Sequence, residues 1–517
     1  MFGRLLFAGL ITLFLPAAAA AAADRLPLVD AATRGDLVAV RALLTQGADA
    51  NAARGDGMTA LHAAVHADRL DIAGALLDAG AKVATGDRYG VTPLYLACVN
   101  GNVDMIRRLL DAGADPNGVD AGGETALMTA ARTGSPAPLR LLLERGATVE
   151  AREPEFGQTA LMIAVRENHV EAIDVLLTAG ASPNAQTRKG PIPAFVPPCK
   201  GTGCGSEGVG INRGGIPDRG RRAEAKGGMT PLLYAARDGR TAAARRLLEA
   251  GADVELADVN GIRPLLMSLL NSNLDVARLL LAKQANVNGD DFWGRTPLWA
   301  AVEYRNLDMN NNDQDSPTTN DVDRAPILEF ITVLIDAGAN VNARTRELPP
   351  ARRWLYSLND VSWVDYTGQT PFLRAALSGD TAAMKLLVQH GADPNLPTLA
   401  GTTPLMAAAG VGWVVAQTYT ESLPARLDAV KLCLELGADI NATNSMGLTA
   451  LLGAANRGSN DIIEYLVQRG ARLDIKDKEG RTPLRWAEGV FLASVGAERK
   501  PETIALLDRL IAESQKK

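Results

Sequence analysis

The chain has 517 residues, a formal net charge of −6 and 47% hydrophobic residues, with aromatics at only 4%. This mild acidity, with charges of both signs scattered along the chain as on a solvated surface, excludes a general nucleic-acid binder, which needs a basic face to release counter-ions. The length would ordinarily imply several domains, unless the chain is built from repeats.

The first segment is not repetitive. Arg4 gives a positive start, Leu5 to Leu15 is an apolar run, Pro16 breaks it, and an alanine tract runs to Ala23 before Asp24. This order predicts a secretory signal peptide over 1–23, cleaved near Ala23. It places the mature protein in the periplasm or outside the cell. No cysteine follows the run, which argues against a lipid anchor, and no later apolar run is long enough to insert in a membrane. The competing reading is an uncleaved anchor, since Leu5 to Ala23 is barely long enough to span.

Beyond Ala23 a phrase returns: Thr59-Ala60-Leu61-His62, Thr92-Pro93-Leu94, Thr125-Ala126-Leu127, Thr159-Ala160-Leu161, Thr230-Pro231-Leu232, Arg263-Pro264-Leu265, Thr296-Pro297-Leu298, Thr370-Pro371-Phe372, Thr403-Pro404-Leu405, Thr449-Ala450-Leu451 and Thr482-Pro483-Leu484. Most adjacent copies lie 33 residues apart, a period that signals a stacked array. In the unit from Thr92 to Asp115, Thr92 predicts an N-cap and Pro93 the first helical residue. Leu94, Leu96 and Ala97 make a short apolar helix. Val103, Ile106, Leu109 and Leu110 then fall at helical spacing on a second one, closed by Gly113. Two glycine columns support this reading. One stands two residues before each motif, from Gly57 to Gly480, where a turn demands positive φ. The other closes each second helix, from Gly47 to Gly470, with Gln284 as the exception that predicts a strained or differently capped helix end.

This pattern resembles the ankyrin repeat family, whose units read as a turn, Thr-Pro-Leu-His-x-Ala and two antiparallel helices. The resemblance implies an all-α, ankyrin-type α-solenoid of about twelve helix–turn–helix repeats with β-turn or hairpin fingers and long inserted loops. The first unit (Leu26 to Asp49) and the last look like caps, as arrays require. One departure is systematic. The family's ordering histidine is matched only by His62. Tyr95, Met128, Met162, Leu233, Leu266, Trp299, Leu373, Met406, Leu452 and Arg485 stand in its place. The departure puts polar ordering between repeats in doubt and suggests a greater reliance on apolar packing.

The interruptions partition the chain. Repeats occupy 24–187; a Gly/Pro/Arg-rich loop follows at 188–226; repeats resume over 227–343 with an acidic Asn/Asp loop at 306–326; an extended Arg/aromatic finger covers 344–367; and repeats with an inserted loop at 411–426 complete 368–517. Segments that an array does not need are where function concentrates.

The first loop holds Cys199 and Cys204, which an oxidising compartment would join in a disulfide worth about 2 kcal/mol for so small a ring. Zinc would need further ligands, and none lies nearby. Cys98 and Cys433 fall on apolar helical faces and read as buried free thiols. Gly203-Cys204-Gly205-Ser206-Glu207-Gly208 matches a dinucleotide fingerprint but lies between no strand and helix, so it reads as chance. His62 and His66 are one turn apart, but Ala63 stands where a zinc-protease helix carries Glu. Asp308, Asn310 and Asn312 alternate like calcium ligands, while Asp313 and Thr319 break the loop pattern. No cofactor, no metal and no catalytic set is expected.

The strongest functional candidates are Arg352, Arg353, Trp354, Tyr356, Trp363 and Tyr366, joined by Trp293 and Trp299 on adjoining repeats. Arg, Trp and Tyr dominate interface hot spots, although the same aromatics would also serve as a satellite core beneath a long finger. The expectation is a non-catalytic scaffold for a protein partner, presenting a rigid concave and finger surface outside the cytoplasm. The alternatives are a hydrolase assembled from the inserted loops and a membrane-tethered envelope protein.

Overall fold

The computed structural model describes residues 26–192, 225–306, 324–347, 364–412, 423–490 and 498–515. Among these residues the regular elements are twelve helix pairs. The first five are α1 (Pro27–Arg34) with α2 (Leu37–Thr45), α3 (Ala60–His66) with α4 (Leu70–Asp78), α5 (Pro93–Asn100) with α6 (Val103–Asp111), α7 (Ala126–Thr133) with α8 (Pro136–Glu144), and α9 (Ala160–Arg166) with α10 (Val170–Thr178). Next come α11 (Pro231–Arg237) with α12 (Thr241–Glu249), α13 (Pro264–Leu270) with α14 (Leu274–Ala282), and α15 (Pro297–Arg305) with α16 (Ala325–Asp336). The last four are α17 (Pro371–Ser378) with α18 (Thr381–Gln389), α19 (Pro404–Ala409) with α20 (Leu423–Glu435), α21 (Ala450–Arg457) with α22 (Asn460–Gln468), and α23 (Pro483–Ala487) with α24 (Pro501–Ser514). The chain divides into two compact units. One is Met1–Arg188 with Arg245–Ala252; the other is Lys189–Ala244 with Asp253–Lys517.

Within each unit the first helix of one pair packs on the first helix of the next, from α1 through α9 and again from α11 through α23. These helices are too short to persist alone in water. They are apolar nearly all round because each is covered on several sides: Ala60 to Val65 in α3 and Ala160 to Val165 in α9 are entirely buried. Second helices are amphipathic; α6 buries Met105, Ile106, Leu109 and Leu110 and turns Arg107 and Arg108 outward. The threonine of the recurring phrase caps the first helix as expected. Its hydroxyl accepts the N–H three residues on, from Thr92 to Tyr95 at 3.3 Å and from Thr370 to Leu373 at 3.1 Å.

The two glycine columns adopt positive φ for different reasons. In the finger column a Cβ on Gly90 would lie 2.7 Å from the Ala121 nitrogen, and one on Gly294 would lie 2.7 Å from the Arg346 nitrogen. There the following repeat's backbone occupies the side chain's place. In the helix-closing column nothing lies within 4 Å of a Cβ at Gly47, Gly80 or Gly113, so only the backbone angle asks for glycine. Gln284 shows the consequence. It takes that place at φ 62°, a strained angle for a side chain that nevertheless has room.

Polar contacts also join neighbouring repeats, and here the structure revises the expectation of mainly apolar stacking. Asn117 donates from Nδ2 to the Gly146 carbonyl at 2.9 Å and accepts at Oδ1 from the Thr148 N–H at 2.7 Å. The same two-way bond is made by Asn51 to Gly80 and Lys82, by Asn288 to Gly338 and Asn340, by Asn342 to Gly391 and Asp393, and by Asn441 to Gly470 and Arg472. Each asparagine thereby satisfies the carbonyl that closes the neighbour's second helix.

Two substitutions separate the columns. Gly90→Ala is expected to lower stability by about 3 kcal/mol or more, because strain and a backbone clash combine, whereas Gly113→Ala should cost about 1 kcal/mol from strain alone. Gln284→Gly should raise stability by about 0.5–1 kcal/mol. Urea denaturation of the three variants measures the order, and equal losses at Gly90 and Gly113 would contradict it.

Candidate binding surface

Several of the fingers between helix pairs are built around a carboxylate three residues before the finger glycine. Asp87 Oδ1 accepts the N–H groups of Tyr89 at 2.8 Å and Val91 at 2.9 Å. Asp120, Asp258, Asp291 and Asp477 repeat this geometry; Asn444 provides it with an amide oxygen. Each turn is thus closed from within by its own side chain. Successive fingers are then bonded through their backbones. The carbonyl before each glycine accepts an N–H from the next finger: Asp56 from Arg88, Tyr89 from Ala121 and Phe156 from Arg188 in the first unit. In the second unit the acceptors include Asn260 from Phe292, Trp293 from Arg346, Thr367 from Leu399, Ala400 from Ser445 and Met446 from Lys478. The Gly123 finger is met instead by Pro154, which has no N–H to give.

This framework holds apolar side chains at the finger tips in water. Tyr89 is 60% exposed, Phe156 51% and Leu399 67%; Val119 and Phe292 are exposed as well. Arg88 lies over the Tyr89 ring at 5.0 Å from its centre, a cation–π contact.

Of the residues singled out in the sequence, Arg352, Arg353, Trp354, Tyr356 and Trp363 lie outside the described residues, as do Cys199, Cys204, the 1–23 segment and Asp308 to Thr319. The other three do not form an outward aromatic patch. Trp293 is fully buried and Trp299 nearly so. Trp293 sits under the Arg295 guanidinium at 5.0 Å, and Trp299 faces inward from the first turn of α15. Tyr366 is also buried, among Leu373, Leu377 and Ala407, with its hydroxyl donating to the Val411 carbonyl at 2.5 Å. The satellite-core alternative therefore describes Tyr366. Phe292, next to Trp293, is the exposed member of that pair. Cys98 and Cys433 are buried free thiols, and burial pushes both up to about 12, so neither is a nucleophile near neutrality.

Sequence patterning gave no notice of the buried charge beside α15. Arg305 donates from Nε to Asp380 Oδ2 at 2.7 Å, Arg374 pairs with Glu303, and Arg374 also reaches Ser378 Oγ at 2.8 Å and the Asn306 carbonyl at 3.0 Å. Asn306 donates to Asp380, and Arg324 donates to the Arg305 carbonyl at 2.7 Å. Residues 306 and 324, which flank the acidic segment, are thus tied to one another and to α18, whose N-terminus Asp380 caps. These hydrogen bonds and ion pairs fix the position of the flanking residues.

In comparisons with known proteins, a family model described as ankyrin repeats in three copies matches residues 28–120, 113–187, 232–311 and 423–489. Single-repeat ankyrin models match 367–396 and 400–445. The chain belongs to the ankyrin repeat family. Among solved structures it is similar to the ankyrin repeat domain of Bcl-3, described as a unique member of the IkappaB protein family. The identity is 27%, with 49% of this chain and 97% of that chain covered and a TM-score of 0.38. No curated protein matches it. Ankyrin arrays are protein–protein interaction scaffolds and are generally non-catalytic; that coarse class of function comes with membership.

His62 is the one residue that keeps the ankyrin motif histidine. Its Nδ1 lies 2.8 Å from Thr59 Oγ1 and accepts the Thr59 N–H, while Nε2 donates to the Val91 carbonyl of the next finger at 3.0 Å. Both bonds suit the neutral ring with its proton on Nε2. Burial lowers the His62 pKa below its ordinary value, against the Val91 bond, which raises it.

The unfolded chain therefore binds a proton at His62 before the folded protein does. Stability is expected to be fully present above the ordinary histidine pKa of about 6.5 and to fall as pH drops below it. Urea midpoints at pH 7.5 and 5.5 should differ more for the wild type than for His62→Met; an unchanged pH dependence in the variant would refute the assignment. Separately, Arg305→Met should destabilise by about 3–5 kcal/mol by leaving Asp380 buried without its partner. Thermal denaturation reads that loss, and a change below about 1 kcal/mol would show that the pair is not structural.

Proposed function

We propose that this ankyrin protein is a non-catalytic protein-binding scaffold that works outside the cytoplasm, holding its partner on the finger tips. The reading is carried by one observation: apolar and aromatic side chains, Tyr89, Val119 and Phe156 among them, stand exposed on turns that are bonded internally and, at most fingers, to their neighbours. Their recurrence on successive ordered fingers supports reading that row of turns as a contact surface. Because the turns are already ordered, association loses little backbone freedom, and the contact area converts more fully into affinity.

The Arg352, Arg353, Trp354, Tyr356 and Trp363 set extends this proposal into the second unit on residue type alone: arginine and large aromatics carry most hot-spot energy. The location rests on the order of Arg4, the Leu5–Leu15 run and the small residues ending at Ala23.

The test uses purified full-length chain and the native envelope fraction. Tyr89→Ser with Phe156→Ser should keep the helical circular dichroism and weaken capture of the bound partner about tenfold or more. Arg352→Ala with Trp354→Ala probes the second set in the same way. If both double variants retain wild-type capture, the finger tips are not the contact surface. N-terminal sequencing of the mature protein should begin near Asp24; a start at Met1 would overturn the proposed export with cleavage.

A further inference from the structure

At the ends of several first helices, a polar side chain from the following repeat lies over a left-handed glycine and bonds a carbonyl there. Arg69 covers Gly35 and donates to its carbonyl at 2.8 Å. His169 covers Gly134 and bonds the Arg132 carbonyl at 3.0 Å. Asn273 covers Gly239 and donates to the Ala236 and Arg237 carbonyls, both at 2.8 Å. Arg426, near the start of α20, covers Gly379 in the same manner: a Cβ on that glycine would lie 3.0 Å from Arg426 Cγ. Yet Arg426 makes none of the equivalent bonds. It is 1% exposed, and its Nε, Nη1 and Nη2 all lack a hydrogen-bond partner. Asp461, the carboxylate whose charge acts on it, is exposed and makes no hydrogen bond with it. A guanidinium buried on these terms weakens the contact that encloses it.

The far end of α20 is also loosely tied to the preceding pair. Asn342 and Asn441, at the junctions on either side, each bond the helix-closing glycine of the next repeat and receive an N–H in return. Asn395, between them, reaches the Leu436 carbonyl at 3.3 Å, one residue short of Gly437, and among the described residues no N–H returns to its Oδ1. The apolar part of the contact is smaller too. Where α18 buries Met384 and Leu387, and α22 buries Ile463 and Leu466, α20 buries Val430 and Cys433. The finger row of the same junction is intact. The Leu399 N–H bonds the Thr367 carbonyl at 2.8 Å, and the Tyr366 hydroxyl bonds the Val411 carbonyl.

We infer that the second unit carries a built-in hinge at this junction, where α20 parts from α18 while the finger row holds. In an array the stability is a sum of contacts between neighbours, so the weakest contact opens first. At α20 the polar tie at the helix start, the polar tie past its end and the apolar area between them all fall short together. Opening brings water to Arg426 and uncovers Cys433, which is fully buried in the closed form. A ligand that grips repeats on both sides of the junction binds the closed form better and holds the hinge shut.

The test is alkylation of the full native chain with iodoacetamide, each cysteine being read by peptide mass spectrometry. Cys98 in α5 is as buried as Cys433 and reports opening elsewhere in the array. Cys433 should label about tenfold or more faster than Cys98, and its rate should depend less steeply on urea than global unfolding does. Arg426→Met keeps an apolar stem and removes the charge; it should slow Cys433 labelling about tenfold and leave Cys98 unchanged. Equal rates for the two cysteines overturn the hinge. So does a Cys433 rate that tracks global unfolding in urea, or one that Arg426→Met leaves unaltered. If Arg426→Met does not fold, hydrogen exchange of the wild type decides. Amides of α20 that exchange about tenfold or more faster than those of α18 and α22 support the hinge, and matched protection refutes it.

Discussion

Close approach of backbone to backbone at the fingers is the constraint from which the rest follows. A side chain at Gly90 or Gly294 would occupy the place taken by the next finger's nitrogen. Without that approach the carbonyl before the glycine does not meet its donor, and the register of one repeat against the next is left to apolar packing alone. Apolar contact is nondirectional; it brings helix pairs together but does not fix their offset. The finger bonds supply the missing direction, and the carboxylates of Asp87, Asp120 and Asp291 hold each turn in the shape that makes them possible.

A second line of polar contacts runs at the other end of each pair, where Asn51, Asn117, Asn288, Asn342 and Asn441 read the helix-closing carbonyl of a neighbour. Repeats that carry both ties are held at both ends by hydrogen bonds and in the middle by apolar side chains. This explains how the motif histidine is dispensable after His62. Its bond to Val91 is one of several between those repeats. Replacing the imidazole with Met, Leu or Trp exchanges one polar contact for buried area and leaves the other ties in place. The insertions are accommodated by the same means. Around the acidic segment the flanking residues Asn306 and Arg324 are bonded to each other and to a buried set of ion pairs. Breaking such a pair strands a buried charge, so its members stay together once the repeats are stacked.

A frame of this kind leaves function to what stands outside it. The tips at Tyr89, Phe156 and Leu399 are exposed because the turns beneath them are complete and ask nothing further of those side chains. Arg426 is the opposite case, a charged group inside the frame whose hydrogen bonds the frame does not supply.

The sequence by itself determined the family, the helix pairs, the threonine caps and the glycine positions. Those features are local: a cap, a proline at a helix start and a positive φ depend on a few adjacent residues and recur at a fixed period. It also placed Cys98 and Cys433 in the core, because their neighbours alternate with helical spacing. It did not decide which aromatics face outward. Trp293 and Phe292 are adjacent in a turn, where no period assigns a side, and only packing buries the first and exposes the second. Nor did it disclose that Asn117 bonds Thr148, that Arg305 finds Asp380, or that Arg426 covers Gly379. These pairs are brought together by stacking, and their chemistry exists only where separate repeats come into contact.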